Sequence, residues 1–152
     1  MSQPETVFTN AVNVLKDAQK SGSNLSYVRK VFEGWRDNIP NSQIPCIIVE
    51  PSDLKETIPF FEEESELYFG ITITAIVQVF DKDKQIVGDT RHKGILDICE
   101  DIKRTFGGDI YLSDSVMTIQ FPDTSFNYNS YPLRGVEITM LCRLRTKYKT
   151  RV

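Results

Sequence analysis

The sequence has few of the residues on which enzyme chemistry most often depends. Its 152 residues include one histidine, His92, and three cysteines, Cys46, Cys99 and Cys142. An odd number of cysteines with no closely spaced pair indicates neither a zinc knuckle nor a redox pair. No neighbouring residue activates His92 or Cys46 as part of a nucleophilic site. The sequence therefore predicts free, mostly buried thiols and no catalytic residue.

Long apolar runs, a large charge of one sign and a phosphate-binding loop are also missing. The longest apolar stretch, residues 71–80, is interrupted by polar residues and is shorter than the roughly 20 residues that span a bilayer. Eighteen basic and 21 acidic residues leave a net charge of −3, so no whole-molecule attraction to nucleic acid or membrane is expected. Gly107-Gly108 follows a predicted helix and does not open one. No metal, cofactor or membrane partner is expected.

Periodic apolar residues predict two helices and several strands. Spacings of three and four predict one amphipathic helix over 4–18 and a second over 89–106, with Asp89 as its N-cap. Unbroken alternation predicts a long strand over 67–80 and a final strand over 133–147. Shorter strands are predicted at residues 27–32, 46–49, 116–121 and 124–128.

These elements predict an α+β fold, mainly an antiparallel β-sheet with two α-helices packed on one face. The odd-numbered residues of the 67–80 strand are all apolar, whereas the even-numbered ones are only half apolar. One face of the sheet should therefore be buried under helices and the other should be partly exposed. No repeat or linker divides the chain, so a single domain over 1–152 is expected.

A connection of about 15 residues, 52–66, is expected between two strands. It contains Phe60-Phe61 and the acidic run Glu62–Glu66. Structureless connections of this length in small domains are usually functional or disordered, which makes this one a candidate interaction element. A cation site is not favoured, because the run has no glycine or asparagine to form a tight turn around a metal.

Basic residues occupy every second position at the end of the sequence. If the final strand continues, period two places one row of charges on one face of the sheet. One interpretation is an edge strand guarded by charge against aggregation. The other is a surface for an anionic partner, either the acidic loop of a neighbouring subunit or DNA phosphates. The row consists of Arg143, Arg145, Lys147, Lys149 and Arg151.

The order of elements resembles the tail terminator, or tail completion, proteins of long-tailed bacteriophages and related neck proteins. Three segments carry the resemblance: Ile-Pro-Cys-Ile-Ile-Val-Glu-Pro at 44–51, the strand-to-helix passage 71–101 with its Asp-Ile-Cys-Glu-Asp-Ile, and Gly-Val-Glu-Ile-Thr at 135–139. The resemblance as a whole, from the first helix to the final strand, extends over most of the chain. This resemblance adds to the prediction of an α+β domain and does not replace it.

The resemblance implies a virion subunit of the tail or neck, assembled in the host cytoplasm. Such a subunit forms a homo-oligomeric ring, commonly a hexamer, on the last ring of the tail tube, stops tube growth and offers a surface to a neck or head-completion protein. Enzymatic residues are not needed, and DNA would pass through the lumen, which the basic row Arg143–Arg151 could face. Candidate contacts with other subunits or the tube, chosen by their chemistry, are Trp35, Phe60, Phe61, Glu62, Glu63, Glu64, Tyr68, Thr72 and Thr74.

Two alternatives remain open at this point. A neck or head-closure adaptor would sit on the other side of the same joint. A small metal-dependent nuclease is suggested by Asp53, Glu62, Glu64 and the basic tail. The nuclease is less favoured, because no acidic residue is followed by the lysine and strand spacing that metal-dependent cleavage needs.

Overall fold

The structure, a computed structural model, describes residues 2–57 and 64–147, with the backbone alone at positions 57, 64, 65, 146 and 147. The first helix, α1, runs from Gln3 to Asp17. It begins at Ser2, whose hydroxyl accepts a hydrogen bond from the N–H of Glu5 at 3.2 Å, a capping arrangement that satisfies one of the helix's free donors. The apolar stripe of α1 is buried, as its spacing predicts, through Val7, Ala11, Val12 and Leu15.

Three strands follow α1. They are β1, Lys30–Glu33, β2, Cys46–Thr57, and β3, Glu64–Gln78, with a short 3-10 turn at Asn41–Gln43 between β1 and β2. The strand predicted at 27–32 is present over its second half, in β1. β1 runs parallel to β2, and β2 and β3 form an antiparallel hairpin.

The expectation of a long structureless connection at 52–66 is wrong over most of its length. β2 continues to Thr57 and β3 already begins at Glu64. Beyond Val49, β2 has passed the end of β1, so its outer half projects as a β2 arm, residues 51–57, with β3 on one side only. Its residues are exposed on both faces, so they lack the apolar alternation that marks a buried strand.

The second helix, α2, runs from Ile95 to Gly107 and starts six residues later than predicted from Asp89. The carboxylate of Asp97 accepts hydrogen bonds from the N–H groups of Gly94, at 2.9 Å, and Gly88, at 3.0 Å. Asp89 accepts instead from the N–H groups of Arg91 and His92 in the preceding turn. The prediction of Asp89 as the N-cap of α2 is therefore wrong, because the Asp89 side chain caps a turn that precedes the helix.

The chain ends in three more strands, β4, Thr118–Ser125, the two-residue β5, Asn129–Ser130, and β6, Leu133–Lys147. The strands predicted at 116–121 and 124–128 are largely one strand, β4, with a register shift between Gln120 and Asp123. The sheet order is β1-β2-β3-β6-β4, with β5 pairing β6 beyond β4. Every pairing except β1 with β2 is antiparallel.

β6 lies inside the sheet. It pairs with β3 over its whole length and with β4 and β5 on its other side. The interpretation of its basic row as an edge-strand guard is therefore wrong at Arg143, which pairs with β3 on one side and with Thr118 of β4 on the other. Residues 144–147 pair with β3 alone among the described strands, so Arg145 and Lys147 do lie at an edge of the sheet. Spacing along one strand cannot show what pairs with it.

Both helices pack on one face of the sheet, which confirms the predicted α+β architecture. The odd-numbered residues of β3 and the even-numbered residues of β6 meet the helices in one large core. A second, smaller cluster lies on the opposite face and contains Phe32, Ile44, Cys46, Ile48 and Ile76. The segment between β1 and β2 covers one end of that face. The remainder of the face carries no helix among the described residues and is called the open face below.

Candidate assembly surface

Three of the predicted contact residues lie on the open face of the sheet. Tyr68, Thr72 and Thr74 are even-numbered residues of β3 and alternate with its buried core positions. Thr72 is half-buried and pairs in register with Glu50 and Thr139, whereas Thr74 is only 8% exposed. Polar side chains therefore occupy the middle of this face.

One end of the open face is a groove with an apolar floor and aromatic walls, here called the aromatic groove. Ile76 of β3 and Leu133 of β6 lie at its base, and Trp35 and Tyr128 lie among its lining residues. The groove has a volume of about 360 Å³. Trp35 is 49% exposed and Tyr128 is 39% exposed, so both rings present apolar area to a partner.

Local geometry fixes the Trp35 side of the aromatic groove. Gly34 has φ of +82°, a left-handed conformation that glycine adopts without steric cost, and it turns the chain away from β1. The indole N–H of Trp35 donates to Asp37 at 2.8 Å. The guanidinium carbon of Arg36 lies 5.4 Å from the centroid of the Phe32 ring, a cation–π distance.

The Tyr128 side of the groove depends on a close approach to β6. The N–H of Gly135 donates to the carbonyl of Tyr128 at 3.0 Å. A Cβ at position 135 would lie 2.9 Å from two carbons of Tyr128, closer than carbon atoms pack. A glycine at this position therefore allows the tyrosine to lie against the strand.

The other end of the open face carries an ion-pair cluster. Glu66 accepts hydrogen bonds from the Arg143 guanidinium and, at 2.9 Å, from the Tyr68 hydroxyl. The bond from Arg143 and then that from Tyr68 hold the pKa of Glu66 below its usual range. The same carboxylate raises the pKa of Tyr68. The cluster links neighbouring strands β3 and β6.

The basic row thus has partners inside its own chain. Arg143 binds Glu66, Arg145 stands opposite Glu66 in register, and Lys147 stands opposite Glu64. Within the described residues, members of the acidic and basic runs that the sequence suggested might join two subunits are therefore neighbours on β3 and β6 of one chain. Predicted residues outside the described ranges are Phe60, Phe61, Glu62, Glu63, Lys149 and Arg151.

The candidate catalytic side chains, His92 and the three cysteines, are either buried or distant from the contact residues of the open face. His92 is exposed, with Nδ1 3.2 Å from Asp89. Burial raises the pKa of Cys46 to about 11 and that of Cys142 to about 12, and it also raises that of Cys99. Within residues 2–57 and 64–147, no group of three or more His, Cys, Asp or Glu side chains is placed to hold a metal ion.

Sequence reasoning found Trp35 but missed the rest of the aromatic groove. Ile76, Tyr128 and Leu133 come from separate parts of the chain, and only the sheet order brings them together. The signal in the sequence is the alternation of Phe126 and Tyr128 within the strand predicted at 124–128. No helix among the described residues has the length and apolar character needed to cross a membrane.

No protein family model and no curated protein sequence matches this chain. Among solved structures, it is similar to a chain in the virion of the native gene transfer agent (GTA) particle, at 9% sequence identity and a TM-score of 0.44. The match extends over 90% of this chain and 94% of the other. A likeness of this degree assigns no function to the chain.

Proposed function

We propose that this protein is a phage structural subunit that assembles into a hexameric ring on the end of the tail tube, where it stops tube growth and offers a docking surface to the neck. The proposal combines the element order that resembles tail terminators with a surface built for contact between proteins. It requires no reaction. The aromatic groove is the observation that carries it.

The composition of the aromatic groove favours a protein partner. Tryptophan, tyrosine and arginine are the residues most enriched where binding energy concentrates in protein interfaces. Trp35, Arg36 and Tyr128 all line this groove, above a floor of buried Ile76. A partner side chain inserted there would cover exposed ring area, and the Asp37 carboxylate at the rim already accepts from the Trp35 indole N–H.

Two edges of the sheet, β1 and β4, favour contacts through such surfaces over continuous strand pairing. β1 is only four residues long, and β4 carries Pro122 inside its register shift. Proline has no N–H to donate, and short or interrupted edges resist edge-to-edge association. If the groove of one subunit binds a different surface of its neighbour, the contacts are head-to-tail. Such contacts close into a ring when a whole number of equal rotations completes a full turn.

The test compares Trp35→Ala with wild type in two measurements. Sedimentation velocity reports self-association, and electron microscopy reports the length of tubes polymerised from the tail tube protein encoded with this chain. Wild type should form rings and shorten tubes. Loss of a central aromatic contact costs about 2 kcal/mol or more, so Trp35→Ala should weaken ring formation about 30-fold and lengthen the tubes.

Tyr111→Ala is the matched control. Tyr111 is 51% exposed, close to the 49% of Trp35, but it does not line the groove. It should assemble and cap tubes as wild type does. Wild-type protein that neither binds tube ends nor changes tube length contradicts the terminator, and rings that bind only the neck protein would identify a neck adaptor instead.

A further inference from the structure

A small cleft with a cationic lining lies at the end of the sheet where β1 and β2 begin and β3 ends. Its volume of about 310 Å³ is near the lower limit for small-ligand sites, about 300–1,000 Å³. Among the described residues, no aspartate or glutamate lines it. The site is called the cationic cleft below. Its basic lining residues are Arg29, Arg91, His92 and Lys93.

Two of the four basic side chains are paired with carboxylates that do not line the cleft. Lys93 Nζ lies 3.6 Å from a carboxylate oxygen of Asp101. His92 Nδ1 lies 3.2 Å from a carboxylate oxygen of Asp89. The charge that these two residues bring to the cleft is therefore offset within the chain.

The two arginines of the cleft keep their charge for another partner. Arg29 donates to the carbonyl of Ser42 at 3.3 Å, and that oxygen carries no net charge. Within residues 2–57 and 64–147, neither Arg29 nor Arg91 forms an ion pair. The cleft therefore presents two guanidinium groups whose positive charges are not offset by a carboxylate.

Backbone hydrogen bonds fix both arginines at the cleft. The N–H of Arg29 donates to the carbonyl of Pro45 at 2.8 Å, which holds the start of β1 beside the start of β2. The N–H of Arg91 donates to the Asp89 carboxylate at 2.8 Å, which fixes the turn before α2. Binding of an anion therefore orders two side chains but no backbone, which keeps its entropic cost low.

We infer that the cationic cleft binds a dianionic phosphate group. Such a group carries about two negative charges near neutral pH and has at least three strong acceptor oxygens. A guanidinium presents its N–H donors in a rigid fork that matches two phosphate oxygens at once. Arg29 and Arg91 together match the group in charge and in the number of donors. This inference does not depend on the proposed ring.

Other anions match the cleft less well. A carboxylate has one charge and two oxygens, which a single guanidinium can satisfy, so the second arginine would stay unpaired. The phosphates inside a duplex carry one charge each, and proteins bind them by neutralising several along the helix. Here both unpaired guanidinium groups line one small cleft, and the whole chain has a net charge of −3.

Two sources supply a dianionic phosphate. One is the free phosphate ion, and the other is the phosphate at the end of a DNA strand, which is a monoester. Both present the same charge and oxygens to the cleft, and they differ only in whether a strand is attached. The experiment therefore uses inorganic phosphate first and strands with and without a terminal phosphate second.

Isothermal titration calorimetry with inorganic phosphate, at pH 8 and constant ionic strength, tests the site. Wild type should bind phosphate saturably. Arg29→Gln/Arg91→Gln should bind it about tenfold or more weakly, because the charge-assisted hydrogen bonds of both guanidinium groups are lost. Sodium acetate, titrated in the same way, should bind wild type about tenfold or more weakly than phosphate does.

Lys16→Gln/Lys20→Gln is the matched control. It removes the same amount of charge from exposed positions on α1 and just after it, and neither residue lines the cleft. Its phosphate affinity should stay within about twofold of that of wild type, because charges at the surface are screened by salt. Arg29 and Arg91 are also exposed, so circular dichroism and thermal unfolding in phosphate-free buffer should be unchanged in both double variants.

A short single strand with a 5′-phosphate and the same strand with a 5′-hydroxyl then distinguish the two sources by competition with inorganic phosphate. Competition by the phosphorylated strand alone identifies the strand end as a ligand, and competition by neither strand identifies the free ion.

Three results would overturn the inference. The first is wild-type protein that shows no saturable phosphate binding. The second is phosphate affinity that falls no further in Arg29→Gln/Arg91→Gln than in the lysine control, or that acetate equals. The third is equal competition by both strands, which would indicate a site for the phosphates within a strand.

Discussion

Gly135 is the residue on which the Tyr128 wall of the aromatic groove depends. A methyl group at this position would lie 2.9 Å from two Tyr128 carbons, so the ring must move or the strand must shift. We expect Gly135→Ala to lower the free energy of unfolding by about 1–3 kcal/mol, in the range of overpacking, and to weaken self-association. Urea denaturation and sedimentation velocity measure the two effects.

Gly107→Ala provides the comparison. Gly107 is the last residue of α2, and a Cβ there meets no atom within 4 Å. The substitution should leave stability unchanged or raise it by up to about 1 kcal/mol, because alanine favours the helix. Equal losses in the two variants would show that close packing against Tyr128 is not the cause.

The three thiols should differ from exposed cysteines in their reactivity. Burial holds the pKa of Cys46 at about 11, so at pH 8 only about one molecule in a thousand carries its thiolate, against roughly a quarter for a free cysteine. We expect thiol-specific labelling of the native protein to reach Cys99 first, because it is 7% exposed and the other two are fully buried. Mass spectrometry after timed labelling checks this order. Rapid labelling of Cys46 in the native protein would contradict it.

The start of α2 depends on one carboxylate. Asp97 accepts from the N–H groups of both Gly88 and Gly94, so it joins the helix to the preceding loop. Asp97→Ala removes both hydrogen bonds, and we expect it to lower the free energy of unfolding by about 1–2 kcal/mol. Asp97→Asn, which retains one acceptor oxygen, should lose less. Chemical denaturation measures the difference, and equal losses would argue against the hydrogen bonds.

The β3–β6 pairing carries a pH-dependent contribution to stability. Hydrogen bonds from Arg143 and Tyr68 lower the pKa of Glu66 in the folded protein. A lowered folded-state pKa stabilises the protein above the unfolded-state value, about 4.3, and the contribution is lost as pH falls through the lower folded-state value. Wild type should therefore be more stable than Glu66→Gln above about pH 5, and the difference should shrink towards zero in acid.

Glu33→Gln separates this effect from a general change in charge. Glu33 is the last residue of β1, is exposed, and forms no ion pair with the described residues. Its substitution should change stability by a similar amount at pH 7 and at pH 3. A pH-independent difference between wild type and Glu66→Gln, measured by urea denaturation across that range, would contradict the ion-pair assignment.

Strands with a buried face were predictable, and strands without one were not. β3 and β6 alternate strictly because one face of each meets the helices, and their predicted cores at Ile71, Ile73 and Ile138 are buried. The β2 arm has no such face. With exposed residues such as Asp53 and Glu56, the β2 arm has a composition typical of a loop, although backbone pairing with β3 makes it a strand.

The position of β6 in the sheet decides which parts of the candidate surface could be predicted. Sequence spacing predicted the even-numbered face of β3, and side-chain chemistry alone suggested Trp35. Neither predicted the aromatic groove or the pairing of Glu66 with Arg143, because each joins segments that are distant in sequence. Only the order β1-β2-β3-β6-β4 brings those segments together.

The strand order also predicts how deletion of the basic residues at the end of the sequence changes the stability of the protein. Arg145 and Lys147 pair in register with Glu66 and Glu64, and the Arg145 carbonyl accepts from the Gln3 side chain at 3.5 Å. Deletion after Leu144 should therefore lower the free energy of unfolding by about 1–3 kcal/mol. Deletion after Lys147 keeps these pairs, and we expect a change within about 0.5 kcal/mol.

The shorter deletion also tests the role of Lys149 and Arg151. Ring formation and tube capping by a chain ending at Lys147 would show that these two charges are not needed for assembly. Production of DNA-filled particles with that chain then measures whether they contribute to DNA passage. Thermal unfolding of both deletions provides the stability control.

The place of β6 also affects how the protein is made. A ribosome synthesises β6 after the other strands, yet β6 lies between β3 and β4 in the finished sheet. Until residues 133–147 emerge, β3 and β4 have no common neighbour, and the helices cannot close over a complete core. Sheets built from such distant pairings fold slowly. We therefore expect chains interrupted during translation to lack the aromatic groove, so that only completed subunits would join a growing assembly.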